Sequence, residues 1–300
     1  MTRTGTPRGV DPERATLDKA AAENFPVAPF FLPRAWRDDL MAVYGYARLV
    51  DDIGDGDLAP GGADARLLGV APERADDRTA LLDAVEADLH RVFDDVPRHP
   101  LLRGLQPTVR RHALTPEPFL GLIAANRQDQ IVSRYETYDD LLAYCALSAN
   151  PVGRLVLAVT GTASPERIRR SDAVCTALQI VEHLQDVAED LGRDRVYLPA
   201  ADMKRFHVRE ADLAAPHAGA SVRALIAFQA QRARDLLEEG EPLVAGVHGK
   251  LKLLLAGFVA GGRAALGAIA AAEYDVLTGP PKPGKVRLLR EVGMTLRGEG

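Results

Sequence analysis

An all-α fold is what this sequence predicts, on three observations. Ala and Leu dominate its periodic stretches while aromatic residues make up only 5%, a composition that favours helix over sheet. Helix-starting and helix-ending residues follow one another along the chain. No segment alternates apolar and polar residues at the period of two that a half-buried strand needs.

The elements follow in order. Over 33–53, Trp36, Leu40, Val43, Ala47 and Val50 recur at spacings of three and four and form one apolar stripe. From 54 to 77 the chain is rich in Gly, Pro, Ala and Asp and reads as a long mobile loop. Residues 81–93 are amphipathic. Thr115-Pro116-Glu117 is an N-cap followed by proline, opening a helix to about Val132. Thr137 and Asp140 have the spacing of a capping box and start a helix over 141–147. Asn150-Pro151-Val152-Gly153 interrupts the pattern before an apolar run to Val159. Ser164-Pro165-Glu166 opens a long helix that ends near Leu191-Gly192, and two more cover 220–239 and 242–274. There is no repeat and no linker, so the reading is one helical domain over 19–290, with tails at 1–18 and 291–300.

The bulk numbers bound the function. At 47% hydrophobic and 26% charged the chain is globular, and a net charge of −5 offers nucleic acid no basic field. Cys145 and Cys175 sit in apolar helical patterns without metal-ligand spacing and read as small core residues of a reducing, cytoplasmic protein. The first 18 residues lack the apolar core of a signal peptide. The most apolar stretch, 251–272, carries Lys252, Arg263 and a Gly261-Gly262 pair and reads as a buried helix. Peripheral contact with a membrane stays open.

Two acidic segments carry the chemistry. The first is Asp51-Asp52-Ile53-Gly54-Asp55 and the second Asp186-Val187-Ala188-Glu189-Asp190. In each the outer aspartates are four apart, on one helix face, where like charges repel. Gln179, Glu182 and His183 extend the second stripe backward. Both segments fall just before a glycine at an expected helix C-terminus, where the macrodipole disfavours acids. Something positive between them would account for the pattern, and Mg²⁺, which takes one or two carboxylates and shares the rest of its shell with phosphates, fits. HExxH, CxxC and P-loop motifs are absent. On spacing alone, a metal–diphosphate site and a pair of solvated acidic faces both remain.

The stretch Tyr44-Gly45-Tyr46-Ala47-Arg48-Leu49-Val50-Asp51-Asp52-Ile53-Gly54-Asp55 resembles the first Asp-rich motif of the squalene/phytoene synthase family, the head-to-head trans-isoprenyl diphosphate synthases. Gln179 through Asp190, with Arg193-Asp194-Arg195-Val196-Tyr197-Leu198-Pro199, resembles the second. Tyr144-Cys145 and Val152-Gly153 extend the likeness, which spans about residues 20–290. Within the family, four stretches are similar to the bacterial hydroxysqualene synthase branch. They are Glu23-Asn24-Phe25-Pro26-Val27-Ala28, Asn126-Arg127-Gln128-Asp129-Gln130, Leu147-Ser148-Ala149-Asn150-Pro151-Val152-Gly153 and Gln185-Asp186-Val187.

The resemblance implies an isoprenoid-synthase-type helical bundle with a central cavity and an isoprenoid diphosphate substrate. Asp51, Asp55, Asp186 and Asp190 are then the Mg²⁺ ligands, while Arg48, Arg193 and Arg195 hold the diphosphate. Tyr44, Tyr144, Asn150, Gln179 and Glu182 are then the catalytic candidates, with Phe25 a further cavity aromatic. Members of the branch ionise presqualene diphosphate and let water capture the cation, giving hydroxysqualene for squalene and hopanoid synthesis. Gln185, Glu182 and Asn150 are the candidates for positioning that water. Four positions depart from the family pattern: Glu182 for Asn, Gln185 for Arg, Asp194 for Gly, and Gly56 for an acid.

Beside the family roles stand plainer ones. The arginines also suit helix-end ion pairs, His183 a structural hydrogen bond, and Arg127-Gln128-Asp129-Gln130 either a solvated face or partners for the central acids. The basic stretch Lys282-Pro283-Gly284-Lys285-Val286-Arg287 suits closure over a diphosphate or contact with anionic lipid, and reads first as a disordered, solvated tail. Two further functions compete: a condensing synthase making presqualene diphosphate, squalene or phytoene-type products, and a non-catalytic helical assembly factor. Contact with other enzymes of squalene biosynthesis is left open.

Overall fold

The computed structural model describes residues 12–21 and 27–298. The expectations attached to Glu23, Asn24, Phe25 and Pro26 lie outside them. All regular structure among the described residues is helical, and the one ladder-like contact is an isolated parallel bridge between Arg134 and Val196. The chain resolves into two compact units, residues 1–116 and 117–300.

The first unit holds α1 (Pro12–Asp18), α2 (Arg34–Asp55), α3 (Ala63–Leu68), α4 (Arg78–Asp94) and α5 (Pro100–His112). Leu49, Ile53, Leu82, Leu89, Leu102 and Leu105 are fully buried. Each contributes roughly 1.5–3 kcal/mol on leaving water. α2 ends where its acids do. Gly56 adopts φ +77° and its N–H bonds back to the carbonyls of Asp52 and Ile53. A Cβ there would meet the Arg78 guanidinium at 2.6 Å, and Arg78 Nη1 donates to the Gly54 carbonyl at 3.3 Å. Glycine suits this position because it takes a left-handed backbone under a cation.

Two expectations are corrected here. The segment 54–77 is not a bare loop, because α3 forms between the left-handed glycines Gly62 and Gly69 and buries Ala65 and Leu68. Six residues are too few to display a period. α5 was hidden by Pro107, which sits inside the helix where proline normally ends one. Its anchoring comes from the flanks. Gln106 Nε2 donates to the carbonyls of Val92 (3.0 Å) and Asp95 (2.6 Å). At its start, His99 is fully buried, takes the Leu101 N–H on Nδ1 (3.3 Å) and bonds Asp64 of α3 through Nε2 (3.1 Å).

The second unit holds α6 (Glu117–Gln128), α7 (Tyr138–Ser148), α8 (Asn150–Val159), α9 (Pro165–Gln185), α10 (Val187–Gly192), α11 (Ala200–Arg205), α12 (Glu210–Leu213), α13 (Ala220–Gly240), α14 (Pro242–Ala245), α15 (Gly249–Ala271) and α16 (Lys285–Arg297). The capping box at Thr137 and Asp140 forms with both of its bonds, and Ser164 caps α9. Asn150-Pro151 does not open a loop. Only Ala149 separates α7 from α8, since proline is tolerated in a first turn whose N–H is unpaired anyway. Gly153 lets α8 press on α9: a Cβ there would lie 2.4 Å from Ser171 Oγ and 2.5 Å from Cys175 Sγ.

Four helix boundaries differ from the sequence reading, one being the span 242–274, which divides into α14 (Pro242–Ala245) and α15 (Gly249–Ala271). α6 stops at Gln128, four residues early. The long helix from Pro165 breaks at Asp186 (φ −106°, ψ 15°), which ends α9 and precedes α10. The basic C-terminal stretch becomes α16 rather than a tail, packed on α15 through Arg263 Nη1, which donates to Thr295 Oγ1 at 3.4 Å. Tyr138–Val159 and Gly249–Ala271 are long and apolar enough to cross a membrane, but 50% and 61% of their apolar windows are buried inside the fold.

Candidate active site

In the first unit, Tyr44, Arg48, Asp51 and Asp55 follow at intervals of four, three and four along α2 and share a half-buried face. The opposite face buries Tyr46, Leu49, Val50 and Ile53, which fixes the helix about its axis. Asp52 behaves differently from its neighbours. It is buried, accepts from Lys19 Nζ at 2.7 Å and lies 2.9 Å from Arg48 Nε. Burial pushes its carboxyl above the usual range, opposed by Lys19 and Arg48. Arg48 Nη1 also reaches Asp51 at 3.3 Å. One guanidinium therefore serves both acids, and Asp52 holds the stripe in place while Asp51 and Asp55 keep partial exposure.

In the second unit the break at Asp186 changes the electrostatic argument. Asp186 N still bonds the Glu182 carbonyl (3.0 Å) and Asp190 N the Asp186 carbonyl (2.8 Å), so the four-residue spacing survives. Glu189 and Asp190, however, occupy the first turn of α10, where the dipole favours acids. The expectation that both clusters sit at negative helix ends holds for the first and, in the second, for Asp186 at the C-cap of α9, but not for Glu189 and Asp190. Burial raises the Asp186 carboxyl, the charges of Asp190 and Glu189 add to that, and His183 and Lys282 oppose it. Gln185, read as a water positioner, donates through Nε2 to the Pro281 carbonyl at 2.5 Å.

The feature that sequence reasoning missed is a carboxylate set among phenols. Asp129 lies just beyond α6 and accepts from Tyr144 Oη at 2.7 Å and Tyr197 Oη at 3.2 Å. Burial raises its carboxyl, against the lowering effect of Tyr144, Arg195, Tyr197 and His183. Tyr135 packs on both phenols, with ring centroids 5.5 Å from Tyr144 and 5.6 Å from Tyr197. His183 stacks on Tyr197 at 3.6 Å and 12°, shares a 3.2 Å hydrogen bond with Gln179 Nε2, and points Nδ1 at Asp190 Oδ2, 3.7 Å away. A small hollow opens among His183, Val187, Asp190, Arg195, Tyr197 and Leu213. The available sequence signal was that Arg127-Gln128-Asp129-Gln130 is too polar for a buried face, yet follows an apolar helix.

The remaining candidates fall as follows. Arg193 pairs with Glu189 at 3.1 Å along an exposed helix surface, the plainer of its two roles. Arg195 lines the hollow. Asp194 has φ +59°, which explains why glycine suits that position. Arg134 holds it there, through Nη2 to Asp194 Oδ1 (2.8 Å) and Nε to Glu210 (2.7 Å). Glu182 is exposed on α9. Asn150 is buried and its Oδ1 accepts from Thr176 Oγ1 at 3.0 Å, tying α8 to α9. Among the described residues no three His, Cys, Asp or Glu side chains converge as a preformed metal cage. Paired, partly solvated carboxylates are nonetheless what Mg²⁺ takes when it arrives with phosphates and its own waters.

Comparison with known proteins shows the family. Residues 18–290 match the family model for squalene/phytoene synthases. A hydroxysqualene synthase of Zymomonas mobilis is 35% identical over 76% of this chain and 72% of its own length. A 15-cis-phytoene synthase of Synechococcus elongatus is 31% identical over 73% and 70%. Among solved structures, squalene synthase HpnC from Alicyclobacillus acidocaldarius superposes with a TM-score of 0.76 at 40% identity, covering 87% of this chain and 93% of that one. A dehydrosqualene synthase gives 0.81 at 23% identity over 95% of both chains, a likeness of fold. With paired acids, matching helices and a family model spanning both units, this chain belongs to the squalene/phytoene synthase family of head-to-head isoprenoid synthases.

Proposed function

We propose that the protein ionises presqualene diphosphate in the cytoplasm and lets water capture the rearranged cation, releasing hydroxysqualene and diphosphate. The observation that carries the branch is the ordering of the relatives. Two hydroxysqualene synthases stand at 35% and 33% identity, against 31% for the phytoene synthases, and Asn150-Pro151 and Gln185-Asp186 belong to the motifs of that branch.

In this reading the carbon–oxygen bond breaks with its electron pair leaving on diphosphate. Asp51 and Asp55, with Asp186 and Asp190, would hold Mg²⁺, which when bound would supply neutralisation of that charge. Arg48 turns from its aspartate partners to a phosphate oxygen, and Arg195, lining the hollow beside Tyr197, takes another. Arg193, already paired with Glu189, has a lesser part. Tyr44, Tyr144 and Tyr197 give the carbocation π surface in place of water. Asp129, a half-buried carboxylate kept in place by two phenols, supplies the negative potential the cation needs. Gln179 holds His183, and Glu182 braces the metal-binding end of α9. Water supplies the new hydroxyl, and its spare proton passes to the diphosphate set free. Asn150 positions that water, its side chain held by the Thr176 hydroxyl that donates to Oδ1.

The test is a product assay. Presqualene diphosphate with Mg²⁺ and no NADPH should give a C30 alcohol, while farnesyl diphosphate alone should be a poor substrate. Efficient conversion of farnesyl diphosphate to a hydrocarbon would establish the condensing synthase instead, the reading that the phytoene synthase relatives favour. No diphosphate release from either substrate would leave the non-catalytic assembly factor.

A further inference from the structure

The C-terminal helix presents a surface that the chemistry above does not use. α16 packs one side on α15, where Thr295 is buried and takes a hydrogen bond from Arg263. The other side carries Val286, 83% exposed, and Leu289, 72% exposed. These two are three residues apart, and Leu296, half-buried, lies seven beyond Leu289, so the three continue one apolar stripe along the helix. Exposed Lys285 flanks the stripe on one edge, and exposed Arg290 and Arg297 flank it on the other.

The charge is as uneven as the hydrophobicity. Residues 282–298 contain Lys282, Lys285, Arg287, Arg290 and Arg297 against the single acid Glu291, a local charge of +4 in a chain whose net charge is −5. In an otherwise acidic protein, this stripe lies in a segment of net positive charge. A helix with an apolar face edged by lysine and arginine matches the interface of an anionic bilayer, where the apolar residues enter the headgroup boundary and the cations meet phosphate. A protein partner has no counterpart among these observations. A second copy of this acidic chain would have to bring acids to the same stripe.

We propose that α16 is a peripheral membrane-docking helix that seats the enzyme on an anionic lipid surface through Val286, Leu289 and Leu296, with Lys285, Arg290 and Arg297 on the headgroups. The docking is independent of the substrate assignment, and its test uses no substrate. The full-length protein is floated with phosphatidylcholine vesicles with and without phosphatidylglycerol, at low and high salt. Binding should require the anionic lipid and weaken with salt. Lys285→Gln with Arg290→Gln should lower the partition coefficient about thirty-fold, the equivalent of about 1 kcal/mol per cation. Val286→Asp with Leu289→Asp should abolish binding at an unchanged thermal midpoint, because both side chains are exposed. Wild-type protein that stays unbound, or variants that bind like wild type, would overturn the proposal. So would sedimentation in which the Asp pair converts a dimer to a monomer, since the stripe would then be an interface between copies.

Discussion

Replacing Tyr144 with Phe removes one hydroxyl from a site whose energetics can be worked out in advance. The phenyl ring stays packed, because Tyr144 is buried against Tyr135, Tyr197 and His183, with centroids at 5.5, 5.6 and 6.1 Å. What is lost is a 2.7 Å hydrogen bond to the Asp129 carboxylate. A bond to an ionised partner is worth roughly 1.5–3 kcal/mol, and its neutral counterpart about 0.5–1.5 kcal/mol. In an Asp129→Asn background the same Tyr144→Phe change should therefore cost only the smaller amount. The double-mutant cycle at neutral pH should give a coupling of about 1–2 kcal/mol, read from urea denaturation of the four proteins.

The pH dependence follows from the raised Asp129 carboxyl, whose main cause is burial. The folded state binds this proton more tightly than the unfolded chain. Stability from this group is therefore greatest below the ordinary carboxylate value and falls as pH rises through the raised one. Asp129→Asn should flatten that decline, and the coupling to Tyr144 should shrink as pH drops through the raised value. Turnover should fall in both single variants. A coupling under about 0.3 kcal/mol at neutral pH, or one indifferent to pH, would refute the charge-assisted bond that the argument assumes.

Two further outcomes are expected. Asp186→Asn removes a carboxyl raised by burial and by the charges of Asp190 and Glu189, so the melting temperature at neutral pH should hold or rise while diphosphate release is lost; normal turnover would remove Asp186 from the metal ligands. His99→Ala should destabilise the first unit by about 3 kcal/mol or more, because it strips the α5 cap and leaves the buried Asp64 carboxylate without its 3.1 Å partner. Calorimetry showing a loss under about 1 kcal/mol would mean that Asp64 is hydrated in solution.

The sequence by itself determined the helical class, the caps at Thr137 and Ser164 and the acidic spacing. These are local properties: a capping box at Thr137 and Asp140, or two carboxylates four apart on α2, depends on residues within one or two turns. Local signals fail where an element is too short to show a period, as in α3, or contains a residue that usually ends it, as Pro107 does in α5. The break at Asp186 was equally invisible, since the pattern of α9 runs on into α10 while the backbone leaves helical geometry at one residue. Only tertiary structure decided that Asp129, fifteen residues before Tyr144 and sixty-eight before Tyr197, would be the shared acceptor of both phenols. No sequence period encodes that meeting. It arises because α6, α7 and the segment after α10 converge, and a carboxylate largely withdrawn from water there needs hydrogen-bond donors around it.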